Sequence, residues 1–329
     1  MTRSFRSFLL IPGFAFVLGS PAAGREDGPA APRESTRITA AANVTLRALP
    51  SPGADAVAQL PLGTEVVQAG PAGLDKTWIR VKLGDAREGW VLASLTKPLD
   101  AVWRWPTFDS IIADRLGRKG DGFRAFAELV AFIERVAPEY SDPDGRARLE
   151  LSRLRALSSA LAAMPKGNSR REPYASWLAS RKTDVVYDEP GGQWMLNGPM
   201  IWERHAKLAG ASASVADDFA WVAVTNGLAG ECEGHLACYV DATDRLQGEY
   251  LRRHAAGRRA AESVDVIKST VDLLTAPATK GASYTFDRKT DCNALSTSVD
   301  ALVAAVQATR ATNRDAAIAS LTALKRMCQ

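Results

Sequence analysis

The hydrophobic spacing of this chain changes once, near residue 99, and this change limits the folds that the chain can adopt. Before that point, short β-rich runs alternate with turns that contain proline and glycine. After it, apolar residues recur three and four positions apart, which is the spacing of one helix face. The sequence therefore predicts a multidomain β + α protein, with a small five-stranded β-barrel followed by a mostly α-helical domain.

The predicted barrel occupies residues 39–98, about sixty residues. Its runs are separated by turn sequences such as Pro50-Ser51-Pro52-Gly53 and Gly84-Asp85. So short a β domain closes its sheet to remove exposed strand edges and packs one thin core. The five strands are predicted at residues 44–46, 57–60, 65–68, 78–82 and 89–92.

The order of motifs in this region resembles the bacterial SH3 (SH3b) family, over less than a fifth of the chain. The family usually has Asn where Thr45 stands, which is a minor departure. The matching motifs are Val44-Thr45-Leu46-Arg47, Gln59-Leu60-Pro61-Leu62-Gly63-Thr64-Glu65-Val66, Trp78-Ile79-Arg80-Val81 and Glu88-Gly89-Trp90-Val91.

This resemblance implies a module that binds a peptidoglycan peptide or an envelope protein. The candidate ligand contacts are Trp78, Arg80, Asp85 and Trp90, and the alternative for the two tryptophans is packing within the barrel. Residues 70–76 and 85–88 are candidate loops around a ligand groove, because recognition often lies on loops carried by a rigid scaffold.

The N-terminus has the pattern of an export signal. Arg3 and Arg6 precede an apolar run at residues 8–18, and small residues follow it. This pattern predicts a signal peptide at residues 1–22 and a flexible leader at 23–38. The run is shorter than the ~20 residues of a membrane span, and no cysteine lies near the cleavage site to carry a lipid. We therefore expect a periplasmic or secreted protein with no transmembrane segment in its mature form.

Beyond a linker at residues 99–108, residues 109–329 are predicted to form the helical domain. Trp103 and Trp105 are expected to pack the barrel onto these helices. Residues 182–200 contain two apolar runs around a Pro-Gly-Gly turn and are predicted to form a hairpin or a packed loop.

One sequence pattern recurs weakly within the helical domain. Glu139-Tyr140 precedes Gly145-Arg146, and Glu249-Tyr250 precedes Gly257-Arg258. The second copy faintly resembles the helical joints of tetratricopeptide-type arrays. A stack of helical hairpins and a single irregular helical bundle both remain open.

Four cysteines in an exported protein favour disulfides, and sequence alone allows three pairings. The last forty residues read as two helices joined by a short polar turn, and such helices run antiparallel. Cys292 opens the first helix and Cys328 closes the second, so the hairpin at 292–328 places them together. We predict a Cys292–Cys328 bond, which leaves Cys232 to pair with Cys238.

No pattern in the sequence points to catalysis, a cofactor or a metal. Cys292 is followed by no histidine that would act as its base. The three histidines have no metal-ligand spacing, and His205 and His254 are expected to be exposed at the surface. The segment around Cys232, Glu233, His235 and Cys238 offers metal ligands, but a disulfide is favoured there.

Composition gives little support for a nucleic-acid partner. The formal net charge is +4, and it falls to +2 without Arg3 and Arg6. No phosphate-binding or dinucleotide-binding glycine motif is present.

Two functions are compatible with these observations. The first is a non-catalytic exported protein whose barrel binds a cell-wall peptide or an envelope protein. The alternative is a cell-wall hydrolase or a metal-dependent hydrolase with its site in residues 182–240, around Trp194, His205, Glu233 and His235.

Overall fold

The structure is a computed structural model that describes residues 35–70, 76–276 and 284–329. The predicted signal peptide at 1–22 and residues 23–34 of the predicted leader lie outside the described residues. Within the described part of the chain, no helix has both the length and the apolar character needed to cross a membrane.

The β region forms one antiparallel sheet with the strand order β3-β2-β6-β5-β4-β1-β7. Its strands are β1 (Thr36–Thr39), β2 (Val44–Arg47), β3 (Ala56–Leu60), β4 (Glu65–Gln68), β5 (Trp78–Lys82), β6 (Glu88–Leu92) and β7 (Thr96–Pro98). Strands β2 to β6 match the five predicted strands. The two terminal strands in the order, β3 and β7, are not paired with each other among the described residues, so the sheet is open where a closed barrel was predicted.

The prediction of five strands is wrong in number, because the sequence signal of β1 and β7 is weak. Thr-Arg-Ile-Thr and Thr-Lys-Pro are short and mostly polar, and the second ends in proline. Tertiary pairing defines them: β1 lies between β4 and β7. Residues 36–38 were assigned to the flexible leader, and they belong to β1 instead.

The described residues after the sheet are mostly helical and include a β-hairpin. The hairpin is formed by β8 (Val185–Asp188) and β9 (Gln193–Leu196), one of the two structures predicted for this segment. The helices are α1 (Trp105–Leu116), α2 (Phe123–Val136), α3 (Pro143–Ala162), α4 (Tyr174–Ala179), α5 (Gly198–Ala206), α6 (Ala213–Asn226), α7 (Leu236–Thr243), α8 (Glu249–Arg253), α9 (Ala260–Thr275), α10 (Arg288–Gln307) and α11 (Arg314–Lys325).

Helix α1 begins inside the segment 99–108 that was predicted to be a linker. Arg104 precedes the helix, and Pro106 occupies its first turn, where a missing backbone N–H costs nothing. Trp105 contacts the rings of Phe108 and Tyr140, as expected for a tryptophan that packs at this junction. Trp103 does not pack there, because it is 69% exposed, and that prediction is wrong.

The sheet is attached to the helices through the β3–β4 turn and helix α2. The buried side chains of Ile38, Leu62 and Leu99 belong to the hydrophobic cluster of α1, α2 and α3. Arg135 donates hydrogen bonds to the carbonyl oxygens of Leu62 and Gly63, at 2.8 and 3.0 Å. Polar and apolar contacts therefore fix the sheet against this helix.

Gly63 is required at this contact for two reasons. Its φ of 76° lies in the left-handed region that favours glycine. A Cβ atom at this position would also lie 2.2 Å from Cδ2 of Phe132 on α2. Only a residue without a side chain therefore allows the turn to approach α2 this closely.

The helical half contains two hydrophobic clusters, one around α1–α5 and one around α7–α11, with α6 contributing to both. The amphipathic pattern of α10 and α11 places Leu295, Val299, Leu302, Leu321 and Leu324 in the second cluster. Apolar burial of this kind contributes about 25 cal/mol per Å² and is the main stabilising term of the domain.

The two tyrosines of the recurring sequence pattern occupy similar joints between helices. Tyr140 is buried and donates a hydrogen bond to Asp109, at 2.8 Å, and a Cβ on Gly145 would lie 2.8 Å from its ring. Tyr250 is buried and donates to Asp217, and a Cβ on Gly257 would lie 2.5 Å from its hydroxyl. In both copies a glycine leaves room for a tyrosine that bonds a carboxylate on another helix.

Two disulfides join the pairs predicted from the sequence. Cys292 at the start of α10 is bonded to Cys328 after α11, with Cα atoms 5.5 Å apart. Cys232 is bonded to Cys238 in the loop before and within α7. The first bond closes the terminal hairpin, and the second closes a small loop beside it.

Candidate functional site

A cross-strand row on the outer side of the sheet brings together two of the predicted ligand contacts. Arg80 on β5 and Trp90 on β6 are directly opposite each other, and Arg47 on β2 is opposite Trp90 on its other side. Directly opposed residues point to the same side of a sheet. Arg47, Trp90 and Arg80 therefore form a row, called here the Trp90 row, in which a tryptophan lies between two arginines on neighbouring strands.

The Trp90 row lies opposite the core side of the sheet. On the same strands, Leu46, Ile79, Val81 and Val91 alternate with the row and are buried in the core of the sheet. Trp90 itself is half-buried, Arg47 is half-buried and Arg80 is exposed. The row is therefore available at the surface while its backbone is held by the sheet.

Ion pairs and hydrogen bonds orient the two guanidinium groups. Arg80 Nη2 lies 2.8 Å from Glu88 Oε2, and Arg47 Nη1 donates to the carbonyl oxygen of Ala54 at 2.7 Å. Each guanidinium has five N–H donors, so both retain donors for a ligand. The arrangement can stack an apolar group on the indole and bind a carboxylate from either side.

The other two predicted contacts have different surroundings. Trp78 is only 7% exposed, which agrees with the packing role left open for it. Asp85 lies in the β5–β6 turn and is exposed, and hydrogen bonds from Arg87 hold its pKa below the usual range. Asp85 is therefore already paired at the end of the hairpin. Of the two candidate loops, the one at residues 70–76 lies mostly outside the described residues, because the structure does not describe residues 71–75.

Arg47 was not among the predicted contacts. Its signal was present in the strand Val-Thr-Leu-Arg, where buried Val44 and Leu46 alternate with Thr45 and Arg47. What the sequence could not give is the pairing of β2 with β6, which sets Arg47 beside Trp90.

The predicted hydrolase residues lie in separate surroundings. His205 on α5 is half-buried and contacts His254, with the two Nε2 atoms 2.8 Å apart, so the prediction that both are surface side chains is wrong. Burial, then the nearby His254 and Arg253, lowers the pKa of His205 to about 4. A hydrogen bond between two imidazoles needs one of them to be neutral, and burial favours that form.

His235 has a different partner. Its Nε2 atom lies 3.1 Å from Oδ2 of Asp291, a buried carboxylate at the start of α10. Hydrogen bonds from the backbone of Asp287 and the hydroxyl of Thr290, followed by the nearby His235, lower the pKa of Asp291. The pair links the Cys232–Cys238 loop to the helix that carries Cys292.

Trp194 lies on β9 beside Tyr187 and lines a small cavity of about 180 Å³. Neither His205 nor Glu233 nor His235 lines that cavity. Among residues 35–70, 76–276 and 284–329, no group of three or more His, Cys, Asp or Glu side chains is placed to hold a metal ion. The cavity at Trp194 therefore does not unite the residues predicted for a hydrolase site.

Comparison with known proteins gives no relative for this chain. No family model, no curated protein and no solved structure matches it.

Proposed function

We propose that this protein is a non-catalytic, exported binding protein of the cell envelope, whose sheet domain binds a cell-wall peptide or an envelope protein through the Trp90 row. The observation that carries the proposal is the placement of Trp90 between Arg47 and Arg80 on the outer side of the sheet. An aromatic ring between two cations suits a peptide that carries both an apolar group and a carboxylate.

Two further observations support the proposal. The motifs at residues 39–98 resemble the SH3b family, whose members include wall-binding and protein-binding modules. The two disulfides fit an oxidising compartment outside the cytoplasm, as expected from the N-terminal export pattern. The helical half then acts as a rigid support or a second interaction surface.

Co-sedimentation of the purified protein, with its disulfides intact, with peptidoglycan sacculi tests the proposal, alongside chemical cross-linking to envelope proteins. Arg80→Gln changes an exposed side chain and should leave the fold intact while weakening binding about tenfold, the worth of a charged hydrogen bond. Trp90→Ala should abolish binding.

Trp103→Ala is the matched control, because Trp103 is an exposed tryptophan outside the row. It should bind as the unmodified protein does. Failure of the unmodified protein to bind sacculi and to cross-link to any envelope protein would refute the proposal. So would equal binding by all variants.

The hydrolase alternative has one observation in its favour, the contact between His235 and Asp291, which resembles the base and orienting carboxylate of a catalytic dyad. Incubation with purified muropeptides, with His235→Ala and Glu233→Ala as controls, tests it. Turnover that both variants lose would establish the hydrolase; no turnover, or equal turnover in the variants, would end it.

A further inference from the structure

The open sheet ends in two edge strands, β7 and β3, which differ in how they are protected against pairing with another chain. Strand β7 has three residues, ends in Pro98 and carries Lys97, which is bound to Ser110 and Asp114 of α1. Short length, a lysine and a proline are features by which proteins block a sheet edge. Strand β3, with the sequence Ala-Val-Ala-Gln-Leu, contains neither a charge nor a proline.

The backbone of β3 has no partner on its free edge among the described residues. Its strand partner is β2, and in the part of the chain that the structure describes, no other backbone hydrogen bond involves residues 56–60. In an antiparallel pair, every second residue directs its N–H and C=O groups away from the partner strand. Strand β3 therefore presents a row of unpaired donors and acceptors, and the occupant that satisfies such a row is an extended chain segment.

Arg47 on β2 supplies a positive charge at this edge. The register of β2 with β3 shifts by one residue between Leu46 and Arg47, an irregularity of the type that redirects a side chain at a sheet edge. The guanidinium of Arg47 extends toward β3, because its Nη1 donates to the carbonyl oxygen of Ala54, two residues before β3, at 2.7 Å. Arg47 is half-buried and forms no ion pair among the described residues. A half-buried guanidinium without a carboxylate favours an acidic partner.

Apolar side chains lie along the same edge. Leu60 is buried in the core of the sheet, and Ala58 packs against that core. Val57 on β3 is 38% exposed, and Leu49 in the turn between β2 and β3 is 63% exposed. Side chains alternate between the two sides of a strand. A segment added to β3 would therefore place every second side chain beside the apolar core and the others on the side of Arg47.

We infer that the free edge of β3 binds an extended peptide segment of another protein, which pairs with β3 as an added strand and carries a carboxylate that binds Arg47. Such a segment has apolar residues at alternate positions and an acidic residue between them. A second copy of this chain fits less well, because β3 itself carries no carboxylate to pair with Arg47. The site uses the backbone of β3, so it does not depend on ligand binding at the Trp90 row, although both include Arg47.

Isothermal titration of the full protein, with its disulfides intact, with the acetylated, amidated peptide Val-Glu-Val-Glu-Val tests the inference. In an extended strand its valines lie on one side and its glutamates on the other. The peptide with Gln in place of both Glu is the uncharged control. We expect the acidic peptide to bind about tenfold more tightly than the glutamine peptide, and this preference to disappear in Arg47→Gln.

Two further peptides test the pairing of the backbones. In one the valines are N-methylated and in the other the glutamates, so each lacks the N–H donors on one edge of the strand. An added strand donates to β3 from one of its edges, so one of these peptides should lose binding and the other should keep it. Amide hydrogen exchange within residues 56–60 should also slow when the acidic peptide is present, because the outward N–H groups become hydrogen-bonded.

Arg37→Gln is the matched control variant. Arg37 is a half-buried arginine on β1 of the same sheet, and it donates to the carbonyl oxygen of Thr96 as Arg47 does to that of Ala54. It lies at the other end of the sheet, beside β7. This variant should bind the acidic peptide as the unmodified protein does. Circular dichroism spectra verify that each variant is folded.

The inference is wrong if the acidic peptide fails to bind at millimolar concentration or binds no better than the glutamine peptide. It is also wrong if Arg47→Gln leaves the affinity unchanged or if the two N-methylated peptides behave alike. Equal weakening by Arg80→Gln and Arg47→Gln would overturn it by placing the peptide on the Trp90 row. A dimer of the protein that the peptide dissociates would overturn it too, because a second copy would then occupy the edge.

Discussion

The hydroxyl of Tyr250 donates a hydrogen bond to the carboxylate of Asp217, and both side chains are buried. Burial, then this hydrogen bond, raises the pKa of Tyr250, so the hydroxyl keeps its proton. Tyr140 and Asp109 make the same contact in the first joint, but Asp109 is exposed. The two joints therefore differ in whether the carboxylate can reach water.

That difference predicts unequal effects of removing each hydroxyl. Tyr250→Phe leaves buried Asp217 without one donor and should lower the free energy of unfolding by about 2 kcal/mol. Tyr140→Phe leaves Asp109 free to be hydrated and should cost about 1 kcal/mol or less. Urea unfolding of the two variants measures the difference. An equal or reversed order would show that the burial of the carboxylate does not control the cost.

The contact of Gly63 with Phe132 predicts that the sheet cannot accept a side chain at this turn. Gly63→Ala should lower the free energy of unfolding by at least about 3 kcal/mol, since backbone strain and a clash with Phe132 add together. Gly120→Ala is the control, because Gly120 also has a positive φ, of 87°, but no atom lies within 4 Å of its added Cβ. It should cost only about 1–2 kcal/mol. Equal losses in both variants would mean that the close approach to α2 contributes nothing.

The lowered pKa of His205 predicts that the protein is less stable in mild acid. In the unfolded chain a histidine binds its proton below about pH 6.5, whereas folded His205 does so only below about 4. Between these values the unfolded state holds more protons, so the free energy of unfolding should fall as the pH is lowered from 6.5 to 4. His205 is half-buried, and solvent screening reduces the expected loss to about 1–2 kcal/mol.

Urea unfolding at pH 7, 5.5 and 4.5 measures this loss. The fold places Arg253 at 3.4 Å from Nδ1 of His205, and His254, Glu249 and Asp217 complete the charged surroundings. The variant His205→Gln should have a smaller pH slope over this range, because the titrating imidazole is gone. An unchanged slope would assign the pH dependence to other groups.

The two disulfides should contribute unequally. Cys292–Cys328 joins residues 36 positions apart, and Cys232–Cys238 joins residues 6 apart. Loop-closure entropy predicts a stabilisation of about 4 kcal/mol for the first and about 2 kcal/mol for the second. Thermal unfolding of the two paired Cys→Ser variants compares them. A larger decrease in melting temperature on removal of Cys232–Cys238 would contradict stabilisation through the entropy of the unfolded chain.

Local patterning allowed the central strands and the terminal hairpin to be predicted. Strands β2 and β6 alternate buried and outward residues, and α10 and α11 carry regular apolar faces that bring Cys292 and Cys328 together. Strands β1 and β7 were not predicted, because they are short and polar. Their pairing with neighbouring strands defines them. The exposure of Trp103 likewise depends on tertiary packing that composition does not report.

The candidate sites were only partly predictable, because each depends on contacts between distant parts of the chain. Arg80 and Trp90 follow from the resemblance to SH3b motifs, whereas Arg47 joins them only through the pairing of β2 with β6. His205 and His254 are 49 residues apart, and their contact has no local signal.

The central claim, that the sheet binds its ligand at the Trp90 row, is tested most directly by nuclear magnetic resonance. The measurement is the change in backbone amide chemical shifts of the full protein as a soluble muropeptide is added. We expect the largest changes at Arg47, Arg80 and Trp90, and we expect Arg80→Gln to need about tenfold more ligand to reach them. Absence of any change in the sheet, or changes confined to the helical half, would contradict it.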